Sequence, residues 1–171
     1  TSGMPHWTPA SFAPNVPATP VLEATWTGLD GSLEVAVPEA ARDLTAYDAL
    51  TFRTAPEEDV ADGTDLVVTL TDGAGDTWSA PVSDLNPLAV ERMPASGSTT
   101  LDKIVLQQVT VPTASLTGID ATDVVSVSFA PAVGTDGTQA GGVYLADLAL
   151  ATSSVGTADP SGPRPVVDVA T

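Results

Sequence analysis

The sequence predicts an all-β fold, a two-sheet antiparallel β-sandwich, on three observations. Apolar residues recur at every second position through most of the chain, the alternation of half-buried strands. Gly, Pro and Asp interrupt these runs at the spacing of turns in all-β domains, and no segment carries a long helical period. Finally, 171 residues with 43% apolar and 16% charged content supply one core and offset the entropy of ordering the chain.

In chain order, residues 1–20 hold Pro5, Pro9, Pro14, Pro17 and Pro20, a spacing that forbids regular helix and favours an extended course. This segment reads as a linker or as a strap pinned to the domain by Trp7 and Phe12. Residues 21–26 and 32–37 form a candidate hairpin around Gly28-Leu29-Asp30-Gly31, because Gly and Asp accept the positive φ of tight turns. Residues 49–55 place Leu50 and Phe52 inward, and residues 65–71 place Leu66, Val68 and Leu70 on one side. After Asp72-Gly73-Ala74-Gly75-Asp76, residues 77–82 return as the second arm of a hairpin.

Residues 103–111 are almost continuously apolar around Gln107 and Gln108, which suits a central strand covered on both faces. Pro112 ends that run, and residues 113–123 read as a connection with one helical turn. Alternation resumes over 124–130 through Val125, Val127 and Phe129, and 142–151 is the last long strand. Eight strands with long connections make the jelly roll the favoured sandwich, ahead of an immunoglobulin-like one lacking its Cys-Trp-Cys signature. The domain is expected over 21–151, and 152–171, with Gly156, Pro160, Gly162, Pro163 and Pro165, as a tail in which 166–169 can add a short edge strand.

The charge balance excludes several functions. Against 22 Asp and Glu stand Lys103, Arg42, Arg53, Arg92 and Arg164, giving a formal charge of −17. No cationic surface is available to release counterions from phosphates, so nucleic acid is excluded as a partner. Anionic lipid would be repelled, and no apolar run approaches the roughly 20 residues that span a bilayer, so no membrane partner is expected. There is no cysteine, which removes disulfides, thiolate nucleophiles and cysteine-based zinc sites without excluding export. Surplus acid with one lysine fits a salt-loving organism or, preferably, a secreted protein of a high-GC bacterium. The start at Thr1, with neither an initiator Met nor a leader-like apolar stretch, gives the expectation of a processed product or, preferably, a fragment of a longer protein.

Catalytic chemistry finds little support. His6 is the only imidazole and lies in the proline-rich segment, a poor place for a rigid base, and no Gly-x-Ser-x-Gly elbow accompanies it. Nucleotide loops and His-Glu-x-x-His are missing as well. Among so many acids a close carboxylate pair carries no information about glycoside hydrolysis. The expectation is a chain that is not an enzyme, with either no cofactor or a structural calcium, since calcium takes six to eight hard oxygen ligands. Asp72 and Asp76 flank a glycine-containing loop, where a plain hairpin competes with a calcium site. Asp147 shares the strand face of Val143, Leu145 and Ala149, and a carboxylate buried there needs a partner, either Arg53, a backbone group or calcium. Of the aromatic residues, Trp78, Trp26 and Tyr47 are candidates for stacking on a sugar, with Arg53 as a polar companion, while packing at the sandwich ends is the competing reading.

The runs Asp43-Leu44-Thr45-Ala46-Tyr47-Asp48-Ala49-Leu50-Thr51-Phe52-Arg53, Leu66-Val67-Val68-Thr69-Leu70-Thr71-Asp72-Gly73, residues 119–129 and Val143-Tyr144-Leu145-Ala146-Asp147-Leu148-Ala149-Leu150 resemble the galactose-binding-like jelly rolls. That superfamily includes carbohydrate-binding modules appended to secreted bacterial hydrolases. The resemblance implies a non-catalytic accessory module of a secreted multidomain hydrolase, partnered by the catalytic domain of the same parent protein. Either it binds polysaccharide, or it is a structural or protein-interaction domain packing on that catalytic domain. The closing run carries one acid where the family pattern has two, so the family's structural calcium is only partly matched.

Overall fold

The computed structural model describes residues 21–57, 64–91, 105–134, 137 and 139–152. The expected N-terminal strap with His6, the tail from 153 onward and its possible edge strand at 166–169 lie outside them.

Eight strands form two antiparallel four-stranded sheets. They are β1 (Leu22–Trp26), β2 (Leu33–Ala36), β3 (Ala49–Pro56), β4 (Asp65–Asp72), β5 (Thr77–Pro81), β6 (Gln107–Pro112), β7 (Val124–Ala132) and β8 (Gly141–Ala151). One sheet runs β1-β8-β3-β6 and the other β2-β7-β4-β5. The pairings nest, with β1 on β8, β2 on β7, β3 on β6 and β4 on β5. This all-β sandwich is compatible with a jelly roll.

The core lies between the sheets. Period-two alternation aims Leu50 and Phe52 of β3, Val109 and Val111 of β6, and Val143 and Leu145 of β8 at Leu66, Val68 and Leu70 of β4 and at Val127 and Phe129 of β7. Phe52 and Phe129 meet across the layers edge to face, with centroids 5.0 Å apart and planes at 75°. Thr54 also faces inward and is fully buried, yet its hydroxyl finds no partner among the described residues. A buried unpaired hydroxyl is costly, so the isosteric Thr54→Val is expected to raise stability by about 1 kcal/mol in urea unfolding. A loss of stability would show that the hydroxyl is hydrogen-bonded in solution.

Three local expectations are corrected. Residues 21–26 and 32–37 do not form a hairpin: β1 pairs with β8 and β2 with β7, in opposite sheets. The connection between them, with Gly31 at φ 98°, crosses the sandwich edge, because each strand gains a long partner that the other could not supply. Of the run 103–111 the structure describes 105–111, and these do not form a central strand. β6 begins at Gln107, alternates in burial and stands at the sheet edge, while Val105 before it is exposed. Asp147 does not share the inward face of Val143 and Leu145. In the β3–β8 pairing a bulge opposite the step from Thr51 to Arg53 inserts one extra residue into β8, and Asp147 adopts φ 54°, which turns its side chain outward.

The two open sides of the sandwich differ. Between β5 and β6 the chain winds through helix α1 (Val82–Leu85) and a 3-10 turn (Pro87–Ala89), burying Val82, Ala89 and Val90 over the core. Asn86 fastens this plug to the sheet by donating from Nδ2 to the Gln108 carbonyl at 2.9 Å. On the β1/β2 side the edge strands are short: β1 covers β8 only from Gly141 to Leu145, and β2 covers β7 only from Ser126 to Phe129.

Candidate functional site: an apolar cleft at the short edge strands

The shortness of β1 and β2 leaves a seam between the sheets. One part of it, a cleft of about 370 Å³, is lined by Val35, Val37, Leu44, Tyr47, Leu148 and Leu150 among others, with no charged side chain among the described residues of its wall. A second hollow of about 400 Å³ shares Val35 and Leu148 with the first and extends to Val21 and Leu22. A third, of about 460 Å³, shares Leu33, Phe129 and Leu145 with the second and reaches Trp26. The seam is therefore continuous from Tyr47 to Trp26 along the sandwich edge. Leu22 and Val35 on its rim are 47% and 38% exposed. Exposed apolar side chains beside an apolar hollow form a patch that favours a partner of like character.

The candidate stacking residues are dispersed. Trp78 of β5 stands opposite Leu70, which is fully buried, and packs against the core from the far sheet. Trp26 packs on the core at the end of β1, opposite Gly141. A Cβ at position 141 would lie 2.7 Å from the Trp26 ring, so any larger residue there would displace that ring. Tyr47 lines the cleft, held by its N–H donating to the Leu44 carbonyl and its carbonyl accepting from Thr113 Oγ1. Arg53 lies on the outer face of the β1-β8-β3-β6 sheet, where Nη1 meets Asp147 Oδ2 at 3.3 Å. The bulge thus brings Asp147 to Arg53, one of the three partners expected for it, but on the outer face rather than a buried one. Both side chains are about half exposed, so this contact is a weak tie.

Asp72 and Asp76 meet in the β4–β5 turn through hydrogen bonds. Asp72 Oδ1 accepts from the N–H groups of Ala74 and Asp76, each at 2.9 Å, and Oδ2 accepts from the Asp120 N–H at 2.8 Å. One carboxylate therefore closes the hairpin and ties it to the connection before β7. The Asp120 N–H holds the Asp72 carboxyl below its ordinary value of 3.8, against an opposing effect of desolvation and with help from Asp76 and Ala74. Asp120 is lowered as well, by its hydrogen bonds from the Thr122 hydroxyl and N–H. Folded-state values below the unfolded ones give stability that is complete above 3.8 and lost as pH falls through the lowered values. Asp72→Asn is expected to lower the thermal midpoint at neutral pH and to flatten the acid limb of the stability curve below pH 4. An unchanged acid limb would sink this assignment.

Among the described residues no group of three or more His, Asp or Glu side chains is placed to hold a metal ion. No described helix is long and apolar enough to cross a membrane. No protein-family model matches the chain, and no curated protein matches it in sequence. The reading of the site therefore rests on its own chemistry.

That chemistry is burial of apolar matter. Among the described residues of its wall the cleft offers no nucleophile and no proton-transfer group beyond the Tyr47 phenol. Sequence reasoning named Tyr47 but missed Val35, Val37, Leu148 and Leu150, whose alternation marks them as ordinary core. The available signal was the length of the strands, since segments 21–26 and 32–37 are each too short to cover 142–151. That mismatch gains meaning only when the pairing is known.

Proposed function

We propose that the chain is a non-catalytic β-sandwich module of jelly-roll type, of the galactose-binding-like kind and fused to a secreted hydrolase, and that its seam seats polypeptide of its own parent protein. The observation that carries this reading is the uncharged apolar wall from Val35 to Leu150. Sugar recognition calls for an exposed aromatic platform with polar groups around it, whereas Trp26 and Trp78 pack on the core. Apolar side chains of an extended segment match such a wall, and docking one would fix the module relative to its neighbour.

A glycan-binding reading draws on a different observation, the Arg53–Asp147 pair on the outer sheet face, with Gln108 opposite Arg53 in register. One pair of experiments separates the two. A photo-crosslinking phenylalanine analogue at Val35 is expected to yield a crosslink to polypeptide, and affinity electrophoresis through soluble polysaccharides, with calcium or chelator, is expected to leave the mobility unchanged. Retardation by one glycan that is lost in Arg53→Ala, together with no crosslink at Val35, would overturn the polypeptide reading in favour of the glycan.

A further inference from the structure

Building on the polypeptide reading of the seam, we infer that its occupant is the chain's own segment 1–20, laid along β8 beyond the start of β1. Three observations converge on it. The first is position. Leu22 pairs with Leu145 in antiparallel register, so residues before Leu22 run alongside residues after Leu145. There β8 continues to Ala151 with a strand partner only on the β3 side among the described residues. Val21 already lines the seam, so the segment enters it without a linker.

The second is charge. All 22 carboxylates and all five Lys and Arg fall after residue 20, which leaves His6 as the only ionisable side chain in 1–20. In so acidic a chain an ordinary solvated linker would carry its share of acid. This segment instead offers Met4, Trp7, Phe12 and Val16 to a wall that is itself uncharged beside Tyr47. The other terminus, 153–171, carries Asp159, Arg164 and Asp168 and matches that wall less well.

The third is reach. The uncovered part of β8, from Ala146 to Ala151, is about 20 Å long at strand rise. A proline-rich extended chain advances about 3 Å per residue. That would bring Val16 to the Tyr47 end of the seam, with Phe12 about 10 Å beyond it. Pro14, Pro17 and Pro20 lack the N–H of a full ladder, so the segment is held by side-chain burial rather than as a ninth strand.

The chain has no cysteine, so a single Ser11→Cys change accepts a nitroxide spin label in the full chain. The amide signals of Val37, Tyr47 and Leu150 are expected to lose most of their intensity and regain it when the label is reduced. Adding Val16→Asp, which puts a charge against the apolar wall beside Tyr47, is expected to abolish the effect while the rest of the spectrum stays folded. Unchanged seam signals in the labelled chain, or broadening confined to other surfaces, would overturn the assignment. If those signals are unchanged and the Val35 photo-crosslink forms to polypeptide outside 1–20, the occupant is wrong and the polypeptide reading survives. If no crosslink forms either, both fall.

Discussion

Phe52→Ala is expected to lower the free energy of unfolding by about 3–5 kcal/mol, out of a total that for a single domain is about 5–15. Phe52 is 1% exposed and projects from the centre of β3. Its edge-to-face contact with Phe129 of β7 joins the two sheets. Truncation removes apolar burial and leaves a cavity that the strands, pinned by their ladders on both sides, close only in part. Phe52→Leu fills most of the volume and is expected to cost about 1–2 kcal/mol. A double-mutant cycle with Phe129→Leu isolates the ring contact, expected at about 0.5–1.5 kcal/mol. Urea denaturation midpoints at constant slope give all of these values. A loss below about 1 kcal/mol for Phe52→Ala would mean that the sheets are not closed over this pair.

The same residue shows how far the sequence is legible. Phe52 follows Leu50 at period two, and that local pattern is enough to place both in the core, as it is for Leu66, Val68 and Leu70. Strand number and strand faces are written locally, since each is set by the pleat of one segment. Pairing is not local. The glycine-rich stretch 28–31 carries every mark of a hairpin turn, yet the strands on either side of it join different sheets. Which strand ends up at an edge depends on partners far away in the chain, as Gln107 depends on Thr54, and so the edge position of β6 was hidden by its apolar lead-in.

The candidate site follows the same division. A single inserted step in the β3–β8 ladder decides whether Asp147 faces core or solvent, and alternation read from one strand cannot register it. The seam arises from a mismatch between strand lengths across two layers, so its residues look like ordinary core until the pairing is known. The aromatic residues were easy to find and hard to place: Trp78 owes its core contact to its register with Leu70.

Asp65→Ala is expected to cost about 2–3 kcal/mol through the hydrogen-bond donors it leaves behind. Helix α1 starts after Pro81, which supplies no side-chain cap, and a helix's first N–H groups need acceptors. Asp65, the first residue of β4 and 5% exposed, takes that role from a distant point in the chain. Its Oδ1 accepts from the Ser83 N–H at 3.2 Å and the Leu66 N–H at 2.8 Å, and Oδ2 accepts from Ser83 Oγ at 2.7 Å. The carboxylate thus anchors the plug over the β5/β6 side, and its loss would loosen Val82 above the core as well as strand the donors. Asp65→Asn keeps an acceptor at Oδ1 and is expected to lose less than half as much. Ser83→Ala removes only the hydroxyl link, at about 1 kcal/mol, and its effect should largely vanish in the Asp65→Ala background because both changes break one shared network. Additive losses in that cycle would mean that Asp65 stabilises the start of β4 alone. Faster hydrogen exchange at Ser83 and Leu85 in Asp65→Ala, with the strands β3 and β8 unchanged, would locate the effect at the plug and show that the closed side of the sandwich opens independently of the seam.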